Sequence, residues 1–349
     1  MTTPAPITNR ATPPTSPAAK ASFAGAQMGQ PLLEVKGLVK HFPKRGGVLN
    51  RVVGKVHAVN GVSFTVNRGE IVGIVGESGC GKSTLGKCVI RLIEPTGGSI
   101  RFDGREVSRL DHASMMPFRR RMQIIFQDPY SSLNPRMTVG GILREALRFH
   151  GVVEASDLDG YVVQMIERVG LRADSASRFP HEFSGGQRQR IGIARALCLK
   201  SEFIVADEPV SALDVSIQAQ VLNLMMDLKD EFGLTMIFIS HDLKVIEHFC
   251  DRVLVMYLGH VVEELSCINL HENAQHPYTK ALLGANPIDS PDERRELTVL
   301  RGDVPSPYNP PPGCPFAGRC PKVQDRCRTQ MPPLEKKKSG HDVACWAVE

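Results

Sequence analysis

Residues 71 to 84 read Ile-Val-Gly-Ile-Val-Gly-Glu-Ser-Gly-Cys-Gly-Lys-Ser-Thr. The first five residues are nearly all apolar, which predicts a strand that is buried on both faces of a sheet. Residues 76 to 83 then match the phosphate-binding loop pattern G-x-x-x-x-G-K-S completely. Residues 85 to 93 repeat apolar side chains with helical spacing. A strand, a glycine-rich loop and a helix in this order predict an α/β fold with a nucleotide-binding site.

The loop predicts how the phosphates of ATP and a magnesium ion are held. Glycines allow several backbone N–H groups to point at the phosphate oxygens, and the helix that follows presents its positive end to them. Lys82 should reach the β- and γ-phosphates, and the Ser83 hydroxyl should bind Mg²⁺. The residues that we expect to contact nucleotide here are Gly76, Glu77, Ser78, Gly79, Cys80, Gly81, Lys82, Ser83 and Thr84.

A second apolar run, Phe-Ile-Val-Ala at residues 203 to 206, ends in two carboxylates, Asp207 and Glu208. A buried parallel strand would place both side chains at the carboxyl edge of the sheet, beside the phosphate loop. Asp207 is suited to hold Mg²⁺ through its water shell. Glu208 is suited to polarise the attacking water, which makes it the predicted general base.

The stretch Phe183-Ser184-Gly185-Gly186-Gln187 resembles the signature motif of ATP-binding cassette (ABC) proteins, with Phe at the position where the general pattern has Leu. Three more stretches resemble motifs of this family and occur in the expected order. They are the Q-loop with Gln127, the D-loop Ser211-Ala212-Leu213-Asp214 and the switch histidine His241. The resemblance covers roughly residues 32 to 265.

This resemblance implies a site that is shared between two subunits. Cassettes of this family bind two ATP molecules in a head-to-tail dimer, so each phosphate loop faces the signature turn of the partner. The residues expected to act across the interface are Ser184, Gly185, Gly186, Gln187 and Asp214. Within one subunit, His241 is expected to hold the γ-phosphate and the attacking water, and Gln127 to sense Mg²⁺. Phe42 is our candidate for the aromatic side chain that stacks on adenine.

Composition divides the chain into three parts. Residues 1 to 30 are rich in Pro, Ala, Thr and Ser and contain no acidic residue, which predicts a disordered tail. Residues 31 to 265 form the expected ABC domain, with a helical subdomain at about 128 to 183. Residues 266 to 349 form a small Pro- and Cys-containing extension, in which regular elements are hard to place. We expect this extension to depend on something other than a hydrophobic core.

The sequence of the extension indicates one subgroup of the ABC family. Residues 276 to 282, His-Pro-Tyr-Thr-Lys-Ala-Leu, and the later Gly-Cys-Pro-Phe and Arg-Cys-Pro stretches look like the C-terminal extension of ATP-binding subunits of oligopeptide and dipeptide importers. This implies that ATP hydrolysis drives peptide import through two permease subunits. It further implies a homologous second ATP-binding subunit, favoured over a homodimer, and an extracytoplasmic peptide-binding protein.

Four cysteines in the extension, Cys314, Cys320, Cys327 and Cys345, form candidate metal ligands. They are not arranged as the Cys-x-x-Cys pairs of a zinc ribbon. Four thiolates suit an iron–sulfur centre, and the resemblance implies a 4Fe–4S cluster here. Zinc and unligated thiols remain alternative readings.

Charge and composition exclude several classes of protein. Hydrophobic residues make up 42% and charged residues 23%, so the chain as a whole is not disordered. The net charge of +5 is too small to indicate nucleic acid, and we expect no such partner. No long apolar run or signal peptide is evident, so we expect a cytosolic protein. The resemblance to importer subunits further implies a peripheral position on the cytoplasmic face of the inner membrane. The alternatives are an importer ATPase for nickel, glutathione or a sugar, and a soluble ABC ATPase that remodels nucleic acid or ribosomes.

Overall fold

The computed structural model describes residues 29–46, 51–285, 302–338 and 340–348. All but the last two residues of the predicted tail at 1–30 therefore lie outside the described residues. The strands are β1 (Pro31–Gly46), β2 (Arg51–Asn67), β3 (Ile71–Val75), β4 (Gly97–Phe102), β5 (Arg105–Glu106), β6 (Met122–Ile125), β7 (Phe203–Asp207), β8 (Thr235–Ile239), β9 (Arg252–Tyr257), β10 (His260–Ser266), β11 (Glu335–Lys336) and β12 (Asp342–Val343).

The α-helices of the same ranges are α1 (Lys82–Val89), α2 (His112–Arg121), α3 (Pro129–Ser132), α4 (Val139–His150), α5 (Leu158–Arg168), α6 (Gly185–Leu197), α7 (Val215–Phe232), α8 (Leu243–Phe249), α9 (Leu270–Asn273), α10 (Pro277–Gly284) and α11 (Asp325–Thr329). The predicted α/β class is confirmed. Among the described residues, no helix combines the length and the apolar character needed to cross a bilayer.

The larger sheet has the order β11-β12-β10-β9-β3-β8-β7-β6 within the described residues. Strands β9, β3, β8, β7 and β6 run parallel, and β10 pairs antiparallel with β9. Every residue of β3, β7 and β8 is buried, as expected for parallel strands that are covered on both faces. Because the carboxyl ends of these strands share one edge, the segments that follow β3, β6, β7 and β8 meet there.

A separate antiparallel sheet has the order β2-β1-β4-β5. At the end of β2, Val62, Phe64 and Val66 are buried and alternate with exposed residues, which is the pattern of a sheet with one face on a core. These side chains share a hydrophobic cluster with Ile74 of β3 and Leu85 of α1. The second sheet therefore packs against the first.

Helices α3, α4 and α5 and two 3₁₀ helices occupy the segment predicted as a helical block. Thr138 begins α4, because its Oγ1 accepts a hydrogen bond from the Gly141 N–H at 3.2 Å. Gly151 ends the helix with φ +59°, a left-handed conformation that glycine adopts without strain.

The expectation that the extension lacks a core was wrong. Phe316 is fully buried and packs edge-on against Tyr257 of β9, with a ring-centroid distance of 5.3 Å, and it contacts Tyr278 of α10 as well. Strand β12 pairs with β10, so the extension also continues the larger sheet. The sequence of this region hides these contacts because they join residues that are far apart in the chain.

Candidate nucleotide-binding site

The phosphate loop joins β3 to α1 and is held in shape by its own lysine. The Lys82 ammonium is buried and donates hydrogen bonds to the carbonyl oxygens of Gly76, at 2.7 Å, and Glu77, at 3.1 Å. Gly81, the residue before α1, has φ +107°, and a Cβ at this position would lie 2.1 Å from the carbonyl oxygen of Ala58. Only glycine therefore fits between the loop and β2.

A cavity of about 560 Å³ opens above this loop. It is bounded by the loop, by the carboxyl edge of the larger sheet and by residues from β1, β2 and the extension. The lining residues are Phe42, Val56, Ala58, Ser78, Gly79, Gly81, Lys82, Ser83, Thr84, Gln127, Glu208, His241 and Pro307. The structure thus brings ten of the residues predicted from sequence into one cavity.

Asp207 lies behind the loop and not on the cavity wall. Its Oδ1 accepts a 2.7 Å hydrogen bond from the Ser83 hydroxyl, and its Oδ2 lies 3.4 Å from the Lys87 ammonium. The Asp207 side chain is almost fully buried, so these two partners compensate a charge that burial would otherwise disfavour. Two oxygen donors of the type that Mg²⁺ prefers are therefore adjacent at the start of α1.

Glu208 joins the ends of three neighbouring strands. Its Oε2 accepts a 3.1 Å hydrogen bond from the Gln127 side-chain amide, which follows β6. The same oxygen lies 3.2 Å from Nδ1 of His241, which follows β8. Glu208 itself has φ +48°, a left-handed conformation that costs a non-glycine residue about 1–2 kcal/mol. Its backbone N–H is fixed by a 3.0 Å bond to Ile239 O.

The signature residues lie away from this cavity. Ser184 begins α6 with a capping box, in which its backbone N–H donates to Gln187 Oε1 at 3.0 Å and its hydroxyl accepts from Gln187 N. Gly185 is exposed and Gly186 half-buried, and Asp214, at the start of α7, is exposed. None of these residues lines the cavity of its own chain, so one chain alone does not assemble all the predicted contacts.

Phe42 of β1 lines the cavity, as its predicted role requires, and the Lys40 ammonium lies 4.8 Å from its ring centroid. Sequence reasoning missed Val56, Ala58 and Pro307, which form the apolar part of the wall together with Phe42. No motif marks them. The two β2 residues face the site through strand register, and Pro307 reaches it from the extension.

The far side of the loop is bound to the extension. Arg319 Nη1 lies 2.8 and 3.0 Å from the two carboxylate oxygens of Glu77, and Glu77 N donates a 2.8 Å hydrogen bond to the hydroxyl of Tyr278. Glu77 and a second bond to the Tyr257 hydroxyl hold the pKa of the Arg319 guanidinium above its usual range. Burial raises the pKa of Tyr278, which remains a neutral phenol. Glu77 is thus held by the extension and does not line the cavity.

The four cysteines of the extension lie in one region. Burial, together with the neighbouring thiols of Cys327, Cys345 and Cys320, raises the pKa of the Cys314 thiol to about 11. Thiols can affect each other's pKa at distances that are too long for them to bind the same metal ion, however. In the part of the chain that the structure describes, no three His, Cys, Asp or Glu side chains are arranged to hold a metal ion. The thiols are therefore neighbours but do not form a ligand set in this arrangement.

Comparisons with known proteins agree with this geometry. Residues 59–211 match the family model for ABC transporters, and residues 262–327 match the model for the oligopeptide/dipeptide transporter C-terminal region. A Brucella ovis protein, named as a peptide import ATP-binding protein, is 55% identical over 315 residues, which is 90% of this chain and 97% of that protein. The oligopeptide transport ATP-binding protein AppF of Bacillus subtilis is 51% identical over 317 residues, 90% of this chain and 96% of AppF.

Among solved structures, the dimeric, post-hydrolysis state of the ATP-binding cassette MJ0796 with ADP and phosphate is similar to this chain, with a TM-score of 0.60 and 28% identity. The similarity covers 67% of this chain and 98% of that cassette. The resemblance that the motifs indicated is thereby confirmed. The chain belongs to the ABC transporter family as one of its ATP-hydrolysing subunits, and it carries the oligopeptide/dipeptide transporter C-terminal region.

Proposed function

We propose that this chain hydrolyses ATP at the cavity above residues 76–83 and that this hydrolysis drives the import of di- and oligopeptides. The observation that carries the catalytic part is the convergence of Gln127 and His241 on one carboxylate oxygen of Glu208, beside the phosphate loop. The observation that carries the peptide part is the C-terminal region at 262–327 together with the names of the relatives.

In this proposal the loop binds the triphosphate, and Phe42 contacts adenine. Lys82 turns its ammonium from the carbonyls of Gly76 and Glu77 toward the phosphates, which offer stronger, charge-assisted bonds. The Ser83 hydroxyl and Gln127 would supply oxygen atoms for Mg²⁺, and Asp207 would hold the ion through its water shell. When bound, the ion neutralises phosphate charge that develops during transfer.

Glu208 is the general base. Its carboxylate accepts the proton of the attacking water, and Gln127 and His241 hold the accepting oxygen in place. The strained backbone at Glu208 fits a position where geometry is under functional constraint. His241 also holds the γ-phosphate in this account.

A second cassette completes the site. Ser184, Gly185, Gly186, Gln187 and Asp214 are surface residues that do not reach their own cavity, and the N-terminus of α6 suits a γ-phosphate of another chain. We infer a head-to-tail dimer with a homologous sister subunit in preference to a second copy of this chain.

Further partners follow from peptide import. Two permease subunits would carry the peptide, an extracytoplasmic binding protein would deliver it, and this chain would sit on the cytoplasmic face of the membrane. Residues 128–135 are a candidate permease contact, because the Tyr130 side chain there is 58% exposed and is flanked by the Arg188 guanidinium, 4.6 Å from its ring centroid. No nucleic-acid partner is part of this proposal.

The proposed units are the ABC domain at 31–265, with its helical subdomain at about 128–183, and the extension at 266–349. We further propose that Cys314, Cys320, Cys327 and Cys345 bind a 4Fe–4S cluster, which requires the thiols to move closer together. Anaerobically purified protein should then be brown and absorb light at about 400 nm. The absorbance should disappear in Cys320→Ser; stoichiometric zinc or metal-free, colourless protein would refute the cluster.

Reconstitution tests the function. Proteoliposomes that contain this chain, a sister cassette and two permeases should take up dipeptide only with ATP inside and binding protein outside. Uptake of nickel, glutathione or a sugar instead of peptide would replace the substrate class. ATPase activity that responds to DNA or ribosomes and not to the permeases would contradict the transport role.

A further inference from the structure

The cavity wall contains one residue from the C-terminal extension. Besides the phosphate loop and the polar strand ends, the lining includes four apolar residues, Phe42, Val56, Ala58 and Pro307. The loop and the strand ends provide the charged and polar groups that suit a triphosphate and its metal ion. The apolar group is the part of the wall that suits a flat, weakly polar ring.

Pro307 is fixed to the strand that supplies two of these neighbours. The backbone N–H of His57, which lies between Val56 and Ala58 on β2, donates a 2.9 Å hydrogen bond to the carbonyl oxygen of Pro307. The bond thus joins Pro307 to a residue whose two neighbours in sequence both line the cavity. The position of the proline ring is therefore tied to the position of the wall.

The next residue fixes the same segment to β1. The Lys44 ammonium lies 4.3 Å from the ring centroid of Tyr308, within cation–π distance. Tyr308 N also donates to Ser306 Oγ at 3.3 Å, and Asn309 N donates to Ser306 O at 3.2 Å, which closes a turn around Pro307. Residues 306–309 are thus held on both strands that border the apolar wall.

We infer that Pro307 forms one wall of a nucleobase subsite and that the aromatic ring of Phe42 forms another wall of it. The extension then takes part in binding the purine nucleotide, and residues 306–309 act as positioning residues for its base. The inference rests on the proposed nucleotide site. Proline suits this role because its φ angle is fixed, so little backbone entropy is lost when the base is enclosed.

Calorimetric titration of the full chain with two Mg²⁺-bound probes, ATP and inorganic tripolyphosphate, tests this inference. Tripolyphosphate has the charges of ATP but no base. Pro307→Gly should raise the Kd for ATP about three- to tenfold, as expected for the loss of a few apolar contacts, and leave the Kd for tripolyphosphate within about twofold. Pro310→Gly is the matched control: Pro310 is also half-buried in the extension but does not line the cavity, and its variant should bind ATP like the wild type.

A second pair of variants guards against a general loss of structure. Tyr308→Ala removes the ring beside Lys44 and should weaken ATP binding, whereas Tyr308→Phe keeps the ring and should not. Equal loss of ATP and tripolyphosphate affinity in Pro307→Gly, or unchanged ATP affinity, would overturn the inference while the nucleotide site stands. Wild-type protein that binds neither probe would overturn the proposed nucleotide site and the inference with it.

Discussion

Arg319, in the C-terminal extension, forms an ion pair with Glu77, the second residue of the phosphate loop. A single guanidinium nitrogen contacts both carboxylate oxygens, and the Arg319 side chain is only 9% exposed. Buried charges of this kind are stable only with their partners. The extension is therefore a structural support of the loop that binds nucleotide.

Replacing Arg319 should weaken phosphate binding. Arg319→Ala leaves the Glu77 carboxylate without its cation, so the loop should lose its fixed position, and the Kd for both ATP and tripolyphosphate should rise about tenfold. Arg319→Lys keeps the charge and should recover part of this loss. Calorimetric titration measures both constants. An Arg319→Ala variant with wild-type affinity for tripolyphosphate would show that the pair supports the fold alone.

Glu208→Gln should separate binding from chemistry. The amide keeps the size of the side chain and its contacts with Gln127 and His241 but cannot accept a proton from water. ATP binding should be retained, and turnover by the paired cassettes should fall at least about a hundredfold. Phosphate release in single-turnover experiments measures the chemical step. Full activity in this variant would refute the assignment of the base.

Gly81→Ala should abolish nucleotide binding. The added methyl group would lie 2.1 Å from Ala58 O, at a backbone φ of +107° that alanine adopts only with strain. Gly54→Ala, on the adjacent strand, provides the control, because a methyl group there meets no atom within 4 Å. Circular dichroism should show that both variants are folded. In calorimetric titration, only Gly54→Ala should bind ATP. Wild-type affinity in Gly81→Ala would contradict the described loop.

Gly185→Glu should act only on the assembled pair. A Cβ at Gly185 would lie 3.5 Å from Leu213 Cδ2, an ordinary contact, so the single chain should fold and bind ATP normally. The carboxylate would repel the γ-phosphate of the partner's ATP, and ATP-dependent dimerisation should be lost. Sedimentation with ATP tests this prediction when Gly185→Glu is combined with Glu208→Gln, which prevents hydrolysis, and compared with Glu208→Gln alone. Dimers that persist in the double variant would contradict the head-to-tail arrangement.

Acid should destabilise the fold through His276. This histidine is only 1% exposed, its Nδ1 accepts a 3.1 Å hydrogen bond from Tyr278 N, and burial lowers its pKa to about 4 from an ordinary 6.5. Between these values the unfolded chain binds a proton that the folded chain excludes, so the free energy of unfolding falls as the pH falls from 6.5 toward 4. By pH 5 this one group should cost about 2 kcal/mol.

Urea unfolding at pH 7 and pH 5 measures this loss. His276→Asn keeps a side-chain acceptor at the start of α10 but does not titrate, so its stability should depend less on pH than that of the wild type. An equal loss in both proteins would assign the acid sensitivity to other groups, among them His260, whose pKa is also lowered to about 4 by burial.

The sequence predicted the elements that have a strong local pattern. The strand predicted at residues 71–75 is β3, and the apolar run at 203–206 lies in β7, because a continuous apolar run indicates a buried strand from local sequence alone. The loop and the two acids Asp207 and Glu208 at the end of β7 were equally predictable, because their chemistry demands particular residues at fixed spacing.

The rest depends on contacts that no local pattern encodes. Phe316 is buried against Tyr257 and Tyr278, which are distant in sequence, so the extension was predicted without a core. Pro307 and Arg319 reach the nucleotide cavity and its loop from the same extension, and neither belongs to a motif that marks nucleotide sites. Such residues become visible only when the tertiary structure joins the two regions.

The strand order affects how this protein folds during its synthesis on the ribosome. Strand β3, which positions the phosphate loop, has β8 and β9 as its neighbours, and these lie at residues 235–239 and 252–257. During synthesis both edges of β3 therefore remain without their partner strands until most of the chain has emerged. Chaperone capture of nascent chains should be concentrated in this interval, and the catalytic cavity should be among the last features to mature.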